Sequence, residues 1–303
     1  MIPPTPRSAR RRPLLLAAVV TATISILGAC SSAAGPHIVT ATPEATPDLT
    51  APPTTAPPTT APPTTGPPPP PDLAAFIDRL PNFGAAPVPV PVTIPHAPGQ
   101  AAFIYEVPTD QPVAFLTIDD GAVRHPMALE LIKAAKVPVT LFLTTNYVSG
   151  HEEWFQALLD TGYVTIQNHS VTHSDLKSMS LGGANWELCT ASDRLENWFG
   201  TRPIYFRPPF GNRDAEVLQA AWDCGMQAGF YWRETADNGQ VWYQRDQGKI
   251  HKGDIILMHF RPRFPEDFTA ALNAIKNSGL VPARLEDYLV VDGATPPSPP
   301  PLP

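Results

Sequence analysis

The stretch VAFLTIDDG, residues 113–121, is a short apolar run that ends in two aspartates and a glycine. Such a run predicts a strand buried on both faces. Similar runs alternate with helical patterns along the chain, which indicates parallel pairing in an α/β fold, and about seven repeats favour a barrel or near-barrel. The predicted strands are 113–118, 137–144, 163–168, 204–207, 226–232, 254–260 and one near Val281, and the predicted helices are 127–136, 152–161, 185–199, 213–224 and 266–278.

Reactive side chains recur where these predicted strands end. Asp119 and Asp120 end the first strand, His169 follows strand 163–168, Arg207 closes strand 204–207 and His259 closes the strand that begins near residue 254. In α/β barrels the carboxyl ends of the strands meet at one rim, where active sites form. We therefore expect these side chains to lie together.

The two histidines of HSVTH, His169 and His173, are four residues apart, a spacing at which two imidazoles in a helical turn face the same way. Together with one carboxylate of the Asp-Asp pair they would form a three-ligand face with open positions, as in catalytic zinc sites. Two surface histidines and a solvated Asp-Asp-Gly turn are the alternative. Adjacent carboxylates repel unless a cation neutralises them, and Arg207 and a metal are the available cations.

Four motifs occur in order along the chain: TIDDG (117–121), HSVTH (169–173), RPPFG (207–211) and LMH (257–259). In this order they resemble the motifs of the polysaccharide deacetylases, carbohydrate esterase family four. The resemblance covers about residues 113–289. It implies a distorted, incomplete (β/α)7 barrel and the metal-dependent removal of acetyl groups from amino sugars.

The resemblance also implies a role for each matching residue. The metal ligands would be Asp120, His169 and His173. The metal would be zinc, with cobalt or manganese as alternatives. Asp119 would be the general base that activates water, His259 would be the general acid that protonates the departing amine, and Arg207 would keep Asp119 ionised.

Substrate contacts are implied in the same way. The backbone N–H near Phe210 would stabilise the oxyanion and Leu257 would line the acetyl pocket. For the pocket wall the sequence itself offers Trp232 or Trp242, and a place in the core is the alternative for either. The sequence departs from the family pattern in WRETADNGQ (232–240), which offers Glu234 and Asp237 but no tryptophan after the acid. We predict that Asp237 supports Arg207, with Glu234 as the alternative.

A second departure lies directly after His259, where the family often has an aspartate. This chain has Phe260 at that position.

The N-terminal residues predict export. Residues 1–29 combine an arginine-rich start with an apolar run that ends in LGAC, which is typical of a lipoprotein signal peptide cleaved before a lipidated Cys30. Lipidation at Cys30 would hold the chain at the outer face of the cell membrane, within the cell wall. An ordinary signal peptide is the alternative.

Residues 30–71 are Pro/Thr-rich and contain APPTT repeats, which predicts a disordered stalk. At ~3.1 Å per residue, about forty such residues would extend about 100 Å in polyproline II form. A proline-rich ligand for a partner is the alternative. Residues 293–303 predict a similar disordered tail.

The remaining residues predict one domain. Residues 72–108 would be an N-terminal extension packed on a catalytic domain of residues 109–292. The net charge of −7 and the lack of a basic cluster in this part argue against nucleic acid as a partner, and we expect a monomer. Cys189 and Cys224 could pair in an oxidising exterior, and the sequence leaves this open.

Three functions are compatible with these features. The first is an N-deacetylase acting on an acetylated cell-wall glycan, peptidoglycan being the expected polymer. The second is an O-acetyl polysaccharide esterase on the same fold, and the third is a catalytically silent wall-binding lipoprotein.

Overall fold

The computed structural model describes residues 72–245, 248–293 and 302–303. The predicted signal peptide, Cys30, the stalk and residues 294–301 of the tail lie outside the described residues. Among the helices that are described, none has both the length and the apolar character needed to span a bilayer.

The described elements alternate along the chain much as the sequence predicts. The α-helices are α1 (Leu73–Ile77), α2 (Ala128–Ala135), α3 (Thr145–Val148), α4 (Glu152–Leu159), α5 (Leu181–Phe199), α6 (Ala215–Asp223) and α7 (Phe264–Asn277), with 3₁₀ turns at Leu176–Ser178, Pro209–Gly211 and Leu285–Asp287. The strands are β1 (Val92–Ile94), β2 (Ala102–Ile104), β3 (Val113–Asp120), β4 (Val139–Leu143), β5 (Val164–Asn168), β6 (Tyr205–Phe206), β7 (Ala228–Phe230), β8 (Glu234–Asp237), β9 (Gln240–Tyr243), β10 (Ile255–His259), β11 (Val281–Pro282) and β12 (Leu289–Val291).

One large sheet organises the domain. Its strand order is β2-β7-β6-β5-β4-β3-β10-β8-β9, and β11 pairs with the start of β3. All neighbours along this path are parallel except β8 and β9. In the described part of the chain β2 and β9 are the two edges, so the curled sheet does not close on itself. The predicted incomplete α/β barrel is confirmed.

Strand β3 lies in the middle of the sheet, and all its residues except the last are buried. Burial on both faces explains why its sequence is an almost continuous apolar run. Gly121 follows at a φ of 84°, and a β-carbon there would lie 2.8 Å from the Phe155 ring. The glycine therefore lets the chain turn away directly after the two aspartates.

Alternate residues of the central strands face two different cores. One face packs against α2, α4 and α7 through side chains such as Leu116 and Ile256. The other face carries aromatic residues, with the rings of Phe115 and Tyr288 5.3 Å apart. Asp119 is the next-to-last residue of β3 and His259 is the last residue of β10. Asp119 and Phe115 are four residues apart on the strand, so their side chains face the same side of the sheet. The reactive groups thus lie at the rim above the aromatic core.

Residues 72–108 contribute three elements to the domain. Helix α1 contacts α2 and α7, β1 pairs with β12, and β2 forms an edge of the large sheet beside β7. Because β2 belongs to the sheet, the boundary that we predicted at residue 108 divides a continuous structural unit.

A disulfide joins Cys189 of α5 to Cys224 at the end of α6, with their Cα atoms 4.9 Å apart. The pairing that the sequence left open is thus present in the structure. It links two helices that pack against each other beside β6.

Candidate active site

The strand register brings the predicted site residues to one level. His259 is the Cα partner of Asp119 across β10 and β3, and Asn168 pairs with Phe206 across β5 and β6. His169 follows Asn168 directly, and Arg207 follows Phe206. The expected meeting of these residues at one rim is therefore what the structure shows.

Three donor groups converge at this rim. The Asp120 Oδ1 atom lies 3.2 Å from Nε2 of His173 and 3.4 Å from Nε2 of His169. One ligand atom from each residue lies within 4.8 Å of the other two. Two imidazoles and one carboxylate at this separation form a three-donor set that could hold a divalent metal and leave further positions open.

The hydrogen bond of His169 decides which of its ring nitrogens faces the other donors. His169 is buried, and its Nδ1 donates a hydrogen bond to the Arg207 carbonyl oxygen at 2.6 Å. Since a carbonyl can only accept, Nδ1 of His169 carries a proton, and the ring nitrogen left for a metal is Nε2, which faces Asp120. Burial raises the pKa of Asp120, but the interactions with His169 and His173 lower it by more, so the net pKa lies below the usual range and the group stays a carboxylate.

The loop that carries the histidines is not the helical turn considered for their spacing. Ser170 has a φ of 70° and His173 a φ of 62°, both in the left-handed region. The rings of His169 and His173 still meet, with centroids 4.9 Å apart. The loop thus reaches the predicted juxtaposition by another backbone route.

Asp119 and Arg207 form a buried ion pair beside the three donors. Arg207 is fully buried, Asp119 is 2% exposed, and Nη1 of the arginine donates to Oδ1 of the aspartate at 2.6 Å. The other oxygen, Oδ2, is 3.8 Å from Nε2 of His169. One carboxylate oxygen is therefore held by the cation and the other faces the donor cluster.

Comparisons with known proteins agree with this geometry. The family model for polysaccharide deacetylase matches residues 106–229. An uncharacterized protein of Streptomyces coelicolor is 39% identical over 193 residues, which cover 60% of this chain and 75% of that protein. The peptidoglycan-N-acetylmuramic acid deacetylase PdaA of Bacillus subtilis is 26% identical, covering 60% of this chain and 73% of the relative.

The solved structures add the fold. One match is a pseudoenzyme of carbohydrate esterase family four (CE4) from Bacillus anthracis, in a mutant form with restored enzymatic activity. Its TM-score is 0.54 at 26% identity, and the match covers 61% of this chain and 70% of that chain. This chain belongs to the polysaccharide deacetylase family.

In this member of the polysaccharide deacetylase family, the buried Arg207 has other partners than the one we predicted. Asp237 accepts a hydrogen bond from Arg261 at 2.6 Å, so the predicted contact between Asp237 and Arg207 is wrong. The reason is the sheet order: β8, which carries Asp237, lies beyond β10, whereas Arg207 reaches β3 from the end of β6 on the other side. Glu234, the alternative, lies beside Asp254 instead.

Neutral groups complete the surroundings of Arg207. Its guanidinium donates to the Thr117 hydroxyl at 2.9 Å and to the carbonyl oxygens of Phe230 and Tyr231 at 3.4 and 3.2 Å. It also lies over the Phe142 ring, 4.5 Å from the centroid. Sequence reasoning missed Thr117, although it alternates with Asp119 on a strand already predicted and so faces the same side.

His259 lies on the other side of Asp119, one strand away. Its Nδ1 is buried and has no hydrogen-bond partner among the described residues. Burial lowers the pKa of His259, while the charges of Asp119 and Asp120 act in the opposite direction. The next residue, Phe260, stands where the family often has an aspartate, and its side chain is buried in the apolar core.

The predicted substrate-contact residues occupy three different environments. Phe210 has a φ of 62° and is 59% exposed, and its ring packs edge-on against His173 with centroids 4.9 Å apart. Leu257 is buried on β10 opposite Thr117. Trp232 stacks on Tyr231 at 4.1 Å and lies 5.7 Å from the Arg207 guanidinium. The Phe210 ring is thus accessible to a substrate at the rim, whereas Leu257 is buried within the sheet.

Proposed function

We propose that this chain is a metal-dependent N-deacetylase that removes acetyl groups from amino sugars of a cell-wall glycan. The observation that carries the proposal is the convergence of Asp120, His169 and His173 beside the buried Asp119–Arg207 pair. Neither an ordinary surface turn nor a structural ion pair requires these groups at one rim.

The donor set of two imidazole nitrogens and one carboxylate oxygen suits zinc. A divalent cation held there supplies Lewis acidity at the acetyl carbonyl and lowers the pKa of water toward ~7. Asp120, His169 and His173 would hold it, since their donor atoms already face one another.

The remaining residues supply proton transfer and orientation. Asp119 accepts the proton of the attacking water, and Arg207 keeps it ionised and fixes its direction through the 2.6 Å contact. His259, the residue paired with Asp119 on the neighbouring strand, donates a proton to the departing amine. An amine is a poor leaving group, so hydrolysis of an acetamide requires this acid as well as the base. The peptide N–H of Phe210 would donate to the oxyanion.

Peptidoglycan is the substrate that we propose, on two grounds. The related PdaA is a peptidoglycan-N-acetylmuramic acid deacetylase. The arginine-rich start and the apolar run of the N-terminus support export. Cys30 supports a lipid anchor at the outer face of the cell membrane, and the Pro/Thr-rich segment supports a stalk within the wall.

The test is acetate release by the purified full chain from peptidoglycan and from an acetylated glucosamine oligomer. Each is assayed with added zinc, with a chelator and with the Asp119→Asn variant as the matched control. We expect release that the chelator and the variant both abolish. No release from either polymer by zinc-loaded protein would contradict the proposal.

Two related assays separate the alternatives. Free amines accompany N-deacetylation, whereas acetate without new amines from an O-acetylated polysaccharide would indicate the esterase. The likeness to a pseudoenzyme makes the silent binder a specific alternative. Binding to glycan strands without acetate release from any acetylated polymer would favour it.

A further inference from the structure

A buried glutamate contacts the loop between the two histidine ligands. Glu187 of α5 is 3% exposed. Its Oε2 accepts hydrogen bonds from the peptide N–H groups of Val171 and Thr172 at 2.8 and 2.9 Å, and its Oε1 accepts from the Thr172 hydroxyl at 2.5 Å. Three donors of one short loop thus converge on a single carboxylate.

The backbone of this loop needs such support. Ser170 and His173 both have positive φ values, a conformation that is unfavourable for residues with a β-carbon. Two further side-chain bonds tie the loop, from the Ser170 N–H to Asn168 Oδ1 and from the His173 N–H to Ser170 Oγ.

The carboxylate acts next to both ligands. Thr172 directly precedes His173, and Val171 is two residues after His169. A shift of these N–H groups would rotate the His173 ring away from Asp120, because the backbone at His173 is the only covalent link between the loop and that ring. The helix that carries Glu187 is anchored to α6, since Cys189 of the same helix is bonded to Cys224.

We infer that Glu187 is a positioning residue that sets the distance between His169 and His173 and thereby the metal affinity of the site. The inference rests on the proposed function of that site. Groups that orient metal ligands typically alter metal affinity by about 10- to 100-fold when they are changed. Glu187→Gln removes the negative charge, leaves one amide oxygen for the two N–H groups and faces the Thr172 hydroxyl with an NH₂ group, so that this hydroxyl must change from donor to acceptor. The three charge-assisted bonds to the loop are thereby lost or weakened.

The experiment measures zinc binding by the metal-free full chain through competition with a chromophoric chelator. It compares the native chain, Glu187→Gln and the control Glu196→Gln, which makes the same change on the same helix at an exposed ion pair with Arg202. Visible absorption of the cobalt(II)-loaded proteins reports ligand geometry, and thermal unfolding of the metal-free proteins reports stability.

We expect Glu187→Gln to raise the zinc dissociation constant about 10- to 100-fold and to change the cobalt spectrum. The Glu196→Gln control should stay within about twofold of the native chain, since exposed ion pairs contribute little. A lowered unfolding temperature with an unchanged dissociation constant and spectrum would mean a merely structural role and would overturn the inference.

A second variant keeps the test decisive if Glu187→Gln does not fold. Thr172→Val removes the hydroxyl donor to Oε1 and keeps both N–H bonds, and we expect it to weaken zinc binding several-fold. Unchanged affinity in that variant would overturn the inference. A native chain that binds no zinc would overturn the proposed metal site itself, which is a different result from native binding with no effect of the variants.

Discussion

Removing either charge of the Asp119–Arg207 pair should strongly destabilise the fold. Both side chains are buried and 2.6 Å apart at their nearest atoms. Charges about 4 Å apart attract by about 4 kcal/mol at an effective dielectric constant of about 20. Loss of one partner from a buried pair costs about 3–5 kcal/mol, because the other charge is left uncompensated. We expect Arg207→Met and Asp119→Asn each to lower the free energy of unfolding by about that amount.

A double-mutant cycle isolates the pair. The variant carrying both Arg207→Met and Asp119→Asn buries no unpaired charge. Its free energy of unfolding should therefore fall by about 3 kcal/mol less than the sum of the decreases in the two single variants. Urea unfolding of the metal-free full chain, followed by tryptophan fluorescence, gives each value. The matched control is a cycle of Arg207→Met with Asp237→Asn, which should be additive within about 0.5 kcal/mol because Asp237 pairs with Arg261.

The two cycles have opposite outcomes under the competing assignments. Additive losses for Arg207 and Asp119, together with coupling between Arg207 and Asp237, would refute the pairing seen in the structure. Coupling confined to Asp119 would support it.

Three further predictions concern the metal, pH and the disulfide. Asp119→Asn should abolish turnover and largely retain zinc, whereas His169→Ala should lose both; normal zinc content in His169→Ala, measured by atomic absorption, would contradict the ligand assignment. Burial, with a second carboxylate beside it, raises the pKa of Glu234 to about 9 from 4.5, so native stability should fall as pH rises across that window. Glu234→Gln should therefore gain stability over the native chain from about pH 5 to pH 9 in urea unfolding, and a pH-independent difference would count against this. Replacing Cys189 and Cys224 by alanine removes a disulfide between residues 35 positions apart in the sequence, and should lower the free energy of unfolding by about 3–4 kcal/mol. An unchanged urea midpoint of unfolding would contradict this.

Much of the fold could be predicted because its strands are apolar runs buried on both faces. The run at 113–118 became β3, and the runs that end near Asn168 and His259 became β5 and β10. Parallel strands place their carboxyl ends at one rim, so the meeting of Asp119, Asp120 and the histidines followed from strand ends alone.

The hairpin of β8 and β9 was missed because its segment was interpreted only as a motif. Asn238 and Gly239 connect the two strands, both with positive φ, and an Asn-Gly pair is a strong hairpin signal. With that hairpin recognised, Asp237 falls at the strand end next to the turn, away from Arg207. The partners of Arg207 could not be predicted in this way, since two of them are carbonyl oxygens of the backbone.

Glu187 carried no signal in the sequence. It lies on a predicted helix between Trp186 and Leu188, and only the hydrogen bonds from α5 to the loop at 170–173 reveal its role. Positive φ at Ser170 and His173 was equally hidden, because neither residue is a glycine or asparagine. Local propensity gives no warning where tertiary hydrogen bonds decide the backbone.

The two sides of the site are held by different means. On the base side, Asp119 is fixed by a buried cation that is itself held by Thr117 and by two carbonyl oxygens. On the acid side, the Nδ1 of His259 has no such partner in the described chain, and the position of the ring depends on strand pairing and on the next residue. Phe260 packs its ring 5.2 Å from Trp154 and 5.3 Å from Phe264, in the core behind the sheet. Where the family often places a carboxylate after this histidine, the chain has an apolar side chain that fixes the end of β10 by packing rather than by charge.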